Sequence, residues 1–141
     1  MISISKRKLS LFVGLISIIS FTNACFPTIN TTTKPPVCCK PLTLDNVPRV
    51  SPPASSSAAG WDQCSLLTNH VDGTCPGDGM FICRVAPYTD AQNAHLQLIQ
   101  NDATVVYESR AKDSVSIWVS CVEGVWKYEG KTFTQVSCSQ K

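Results

Sequence analysis

Histidine is nearly missing from this chain: His70 and His95 are the only two in 141 residues. Neither stands in a nucleophile-elbow, zincin or Cys–His motif, so chemistries built on imidazole begin without their usual groups. His70 falls in a loop and His95 on a strand surface, the ordinary places for a histidine without a catalytic task. Long hydrophobic runs are missing too. The longest, Leu9 to Phe21, falls short of the roughly 20 apolar residues that a membrane-spanning helix needs. Calcium-loop spacing is absent: Asp72 and Asp78 flank a glycine-rich turn, and Asp90 sits alone, with no terminal bidentate glutamate. No cofactor motif and no metal set of His and carboxylate emerges, and the sequence gives no enzymatic signal.

What stands at the N-terminus is a leader. Lys6, Arg7 and Lys8 form a basic start, Leu9 to Phe21 an apolar centre, and Thr22-Asn23-Ala24 a small-residue cleavage site, the three parts of a secretory signal peptide over residues 1–24. A retained anchor is disfavoured by the short apolar run. A lipoprotein signal ending at Cys25 is disfavoured by Thr22, where an aliphatic residue belongs. Taking Lys6, Arg7 and Lys8 out of the twelve basic residues leaves nine against ten acids, a net charge of −1. The basic excess belongs to the leader, so the mature chain has no electrostatic footprint for nucleic acid and no reason to stay on a membrane.

Eight cysteines follow the leader: Cys25, Cys38, Cys39, Cys64, Cys75, Cys83, Cys121 and Cys138. In a secreted chain they read as a disulfide framework rather than a metal or redox centre, with 105 pairings open to eight. Three precede and five follow a linker, so full pairing within the chain requires at least one bond between the groups. The adjacent Cys38 and Cys39 are the candidates for that crossing, because neighbours usually reach two different partners.

Residues 25–60 are Thr-, Pro- and Ser-rich. Asn30-Thr31-Thr32 is an N-glycosylation sequon, which marks a surface segment in a secreted protein. The stretch ending in VSPPASSSAAG has too little apolar surface to offset its ordering entropy and reads as a tether. The folded body is expected over residues 61–141. It is small enough that disulfides, at roughly 2–4 kcal/mol each, supply what hydrophobic burial does not.

Within the body, Val115, Ile117, Val119 and Cys121 alternate with Ser114, Ser116 and Ser120, the period of a half-buried strand. Gly124 and Glu129-Gly130 then punctuate the chain before Thr134, Val136 and Cys138, so Ser114 to Cys138 reads as a three-stranded meander. Its outer strands would place Cys121 and Cys138 about 9–10 Å apart at strand spacings near 4.8 Å, too far to bond each other. Phe81, Cys83 and Val85 mark another strand. His95 to Gln100 suits a strand or a short helix; the turn at Asn101-Asp102 and the β-prone Thr104 to Tyr107 favour a hairpin. Six or seven short strands give an all-β fold, a small disulfide-stapled antiparallel β-sandwich.

Trp118 breaks the meander's alternation on the outer face, and Trp126 follows a turn. These are the candidate contact residues, since an exposed aromatic beside polar groups is a platform for a peptide or a sugar. Trp126 also suits a place over the open end of a small core.

Cys121-Val-Glu-Gly-Val-Trp126, Thr134-Gln-Val-Ser-Cys138, Thr74-Cys75-Pro76 and Cys83 resemble the nematode six-cysteine extracellular domain family over residues 25–141. The resemblance implies secretion and a β-rich domain, and no activity. Adjacent Cys38-Cys39 depart from that family's spacing, and Cys25 and Cys64 exceed its six. Cys-x-x-Gly-x-Trp before a final cysteine is also similar to the end of a sushi module, though the usual proline before the last cysteine is missing. The expectation is a secreted, non-enzymatic structural or recognition module for an extracellular protein or glycan. The competing reading is an inhibitor or effector that presents the rigid loop at Cys75 to Gly79.

Overall fold

The computed structural model describes Pro35, residues 37–70, Gly73 and residues 75–141. The leader, Cys25, Asn30 and Asp72 lie outside the described residues. Among the described residues nine strands run in order: β1 (Asp62–Gln63), β2 (Ser65–His70), β3 (Asp78–Arg84), β4 (Asn93–Gln100), β5 (Thr104–Lys112), β6 (Ser114–Val122), β7 (Val125–Tyr128), β8 (Lys131–Thr132) and β9 (Gln135–Gln140). They form two antiparallel sheets, one of order β1-β9-β4-β5 and one of order β2-β3-β6-β7-β8. The fold is all-β and disulfide-linked, with no helix among the described residues.

Alternation builds the core. In β6, Val115, Ile117 and Val119 are buried while Ser114, Ser116, Trp118 and Ser120 are exposed. Opposite them, Leu96 and Leu98 of β4 and Val136 and Cys138 of β9 are fully buried, and Phe81 and Phe133 meet edge to face with ring centroids 6.0 Å apart. The turns match the residues that make them. Glu123-Gly124 and Glu129-Gly130 all have positive φ, between 47° and 80°, which the tight I′ hairpin turn requires at both central positions. Asn101 and Asp102 likewise take φ of 54° and 63°, so His95 to Gln100 is the first arm of a hairpin and a strand.

The meander ends sooner than its sequence implies. β6, β7 and β8 pair in succession, but the third strand is only Lys131–Thr132, and residues 135–140 cross to the other sheet between β1 and β4. The crossing is fixed at Phe133, which is buried, and at Thr134, whose N–H donates to Ile99 O at 2.9 Å. Cys121 and Cys138 therefore belong to opposite sheets, which corrects the expectation that they share one. They do not bond each other: Cys138 bonds Cys83 and Cys121 bonds Cys39.

Residues 40–60 are not a tether either. Leu42, Val47 and Ala58 are buried, and Arg49 makes a parallel bridge to Val136, with Val50 N–H donating to Val136 O at 2.9 Å and Val136 N–H to Pro48 O at 3.1 Å. Sparse apolar residues proved sufficient because covalent bonds bring them in. Cys39–Cys121 and Cys38–Cys75 span 82 and 37 residues, so much of the loop-closure entropy of docking this segment is lost already from the unfolded chain.

Candidate functional site

Three places combine chemistry with position. The first is the outer face of the five-stranded sheet. Registry sets Trp118 directly opposite Met80, and Met80 opposite Asn69; Ile82 lies opposite Leu67 and Ser116. Trp118 is 63% exposed and Leu67 47%, so Leu67, Met80, Ile82 and Trp118 form one apolar patch edged by Ser116, Ser120 and Asp78. Asp78 Oδ1 accepts from Ser120 Oγ at 3.0 Å. Beside the indole, Asn69, His70 and Met80 complete a cavity of about 210 Å³. His70 is at the end of β2 rather than in a loop.

Trp126, the second candidate contact, is not on that face. It is 6% exposed and its indole N–H donates to Lys40 O at 2.9 Å, so it covers the core end and holds the docked segment in place. The correction follows from registry: Trp126 pairs Cys121, which has the inward parity of β6.

The second place is the outer face of the four-stranded sheet, where His95 corrects its expected surface position. It is buried because Ser55 to Trp61 lies over it. His95 Nε2 is 3.3 Å from Glu108 Oε2, and the same oxygen accepts from Gln97 Nε2 at 3.0 Å and Ser57 Oγ at 3.1 Å. Trp61 closes one side, its ring 5.5 Å from His95 and 4.9 Å from the Arg110 guanidinium. A polar cavity of about 300 Å³ opens among Ser57, Trp61, His95, Glu108, Ser109 and Arg110.

Burial holds the His95 imidazole below its ordinary pKa, against the pull of the Glu108 charge. The Gln97 hydrogen bond, helped by that from Ser57, lowers Glu108. A neutral imidazole thus donates from Nε2 to a carboxylate. Ser57 donates to Glu108 and not to His95, so hydroxyl and imidazole converge on one acceptor instead of forming the nucleophile–base pair of a hydrolase. His95 Nδ1, Gln97 Oε1 and the Ser137 and Ser139 hydroxyls are buried with no partner among the described residues, positions where ordered water belongs. Ser57 and Glu108 are 51 residues apart, and nothing in the local pattern around either points to the other.

The third place is sulfur. Cys64, expected in a disulfide, forms none among the described residues; Cys25 lies outside them. Cys64 Sγ lies 2.7 Å from Cys138 Sγ and 3.1 Å from Cys83 Sγ, yet those two bond each other. The physical reason is a shortage of partners among the described residues: the other four described cysteines are committed to Cys38–Cys75 and Cys39–Cys121. The thiol is pushed up to about 11 by burial, which outweighs the nearby Arg49 guanidinium. The three sulfurs are close enough to share a soft cation, but while Cys83–Cys138 stands only Cys64 has a thiolate to offer, which does not make a metal centre. Asp90 lies exposed in the loop before β4, and Asp78 accepts from Ser120, so these two carboxylates join no metal-ligand cluster among the described residues.

Set against known protein families, curated proteins and solved structures, the chain matches none.

Proposed function

We propose that this protein is a secreted, non-enzymatic recognition module that offers the Trp118 face to an extracellular protein. The observation that carries the reading is the exposed indole of Trp118 aligned with Met80, Leu67 and Ile82 on a sheet whose inner face is already packed. Large rigid aromatics set among apolar neighbours and rimmed by polar groups are how interfaces obtain most of their binding energy. The leader, the disulfide framework and the Asn30 sequon support an extracellular place, and the resemblance to nematode six-cysteine extracellular domains supports the same compartment.

The test is a binding screen of the folded, oxidised protein against extracellular protein ectodomains and glycans, with Trp118→Ala and Leu67→Ser run in parallel. Ectodomain binding that falls at least tenfold in both variants, with unchanged unfolding midpoints, is the expected result. Binding confined to glycans assigns the face to sugar. Binding that survives both variants and is lost on Asp78→Ala moves the function to the Cys75–Gly79 loop, the inhibitor reading. That reading has less to stand on, because Pro76, the residue at the centre of such a loop, is buried and Gly77 O accepts from Cys121 N–H at 2.7 Å.

A further inference from the structure

We propose that Cys138 is a shared half-cystine with two alternative partners, Cys83 and Cys64, and that the protein interconverts between two disulfide isomers without any external oxidant. The geometry carries this. Cys64 Sγ lies beside both sulfurs of the bond, 2.7 Å from Cys138 Sγ and 3.1 Å from Cys83 Sγ. The backbone around the alternative bond is also in place. Gln63 pairs Ser139 across β1 and β9, and Cys64 N–H donates to Cys138 O at 3.3 Å, so Cys64 and Cys138 stand opposite each other where the ladder ends. Directly opposed residues of antiparallel strands have Cα atoms about 4.5–5.5 Å apart, within the span a disulfide bridges. Cys83 and Cys138 have theirs at 5.6 Å. Both bonds fit one backbone.

The step balances within the three residues. The Cys64 sulfur, as thiolate, bonds to Cys138 Sγ; the Cys83–Cys138 bond breaks; Cys83 leaves as thiolate and takes the proton that Cys64 gave up. One disulfide and one thiol exist before and after. The new thiol finds an acceptor at once, since Cys83 Sγ lies 3.5 Å from His95 O. Because Cys64 is near both sulfurs it sits beside the bond rather than beyond its end, so its side chain must rotate into line before exchange, and the conversion is slow.

The isomers differ mechanically. Cys83–Cys138 ties β3 to β9 and so locks the two sheets through the core. Cys64–Cys138 ties the β1–β2 corner to β9 and leaves β3 without a covalent link across the core. The sheet that bears Trp118 is tied to β9 through β3, next to Trp118's own strand, in one isomer and through the start of its edge strand β2 in the other.

The test is thiol mapping on the oxidised full chain. The protein is denatured in acid, labelled with N-ethylmaleimide and cut before Asp72 and Asp78, which puts Cys64, Cys75 and Cys83 on separate peptides. Label on both the Cys64 and the Cys83 peptides, shifting between them after incubation at pH 9, is the expected result. Label on Cys64 alone at every pH overturns the proposal, as does a Cys25–Cys64 bond. Cys83→Ala and Cys64→Ala provide the independent reading: each should still close a disulfide onto Cys138, and a Cys83→Ala protein with Cys64 and Cys138 both alkylated would overturn the inference even if it folds.

Discussion

Leu42 occupies the space that a side chain at Gly79 would fill. A Cβ built on Gly79 would lie 2.6 Å from Leu42 Cδ2 and 3.3 Å from Asn69 O, and Leu42 is itself completely buried. A residue expected to belong to a loose linker is thus the counterpart of a glycine in a central strand.

The pair makes a stability prediction. Gly79→Ala should destabilise by about 1–3 kcal/mol through overpacking, and Leu42→Ala by about 2–5 kcal/mol through the cavity it leaves. In the double variant the new methyl enters the vacated space, so the combined loss should be smaller than the sum of the two. Urea denaturation of all three variants measures it; strict additivity would mean that the two residues do not share that volume.

The two tryptophans should part company. Trp118→Ala should alter stability by no more than about 0.5 kcal/mol, as exposed substitutions do. Trp126→Phe loses the hydrogen bond to Lys40 O and should cost about 1 kcal/mol, and Trp126→Ala about 3–5 kcal/mol. Fluorescence provides a second check, since removing Trp118 should take away the red-shifted, quencher-accessible part of the emission.

Acid should weaken the fold in two steps. The folded His95 has a pKa below its ordinary 6.5, so below that pH the unfolded chain takes up a proton the folded one refuses, and stability falls until the folded value is passed. Glu108 lies below its ordinary 4.5, so its contribution is whole above that pH and is lost as pH falls through the folded value. His95→Gln should flatten the upper step and keep the lower one. Unfolding free energies measured from pH 8 to pH 3 decide this, and an unaltered upper step in the variant would assign it to another group.

The two bonds from the adjacent cysteines should differ in worth. Loop closure gives about 4.5 kcal/mol for Cys39–Cys121 and about 3.8 kcal/mol for Cys38–Cys75. Replacing Cys39 and Cys121 together by alanine should therefore cost more, and should also loosen the Trp126–Lys40 contact beside it. Calorimetry compares the two double variants; equal losses would show that the difference in loop length does not govern the contribution.

Strands with strict alternation or a paired turn were readable in the sequence. Val115 to Cys121 declares its two faces, and Glu123-Gly124, Glu129-Gly130 and Asn101-Asp102 declare their turns, because those signals are local. The sheet to which Val136 and Cys138 belong was not readable. The same inward parity serves either sheet, and the choice rests on Phe133 and on the bond from Thr134 to Ile99, both long-range. Leu42, Val47 and Ala58 gave no pattern because their burial comes from two disulfides and a parallel bridge. Trp118 was visible as a departure from alternation, whereas the meeting of Ser57, His95, Gln97 and Glu108 depends on a covering segment whose composition resembles a linker.

The position of β9 bears on how this molecule comes into being. A ribosome delivers residues 135–140 after the eight other described strands, yet they lie in the interior of their sheet, between β1 and β4. Until they emerge, β4 has a neighbour on one edge only, and Leu96 and Leu98 face a half-built wall. Cys83 meanwhile waits for a partner 55 positions downstream, with Cys64 nearer to it along the chain than Cys138. The nascent chain thus holds Cys64 and Cys83 before Cys138 exists, and arrival of β9 is the event that closes the sandwich and gives Cys83 its partner.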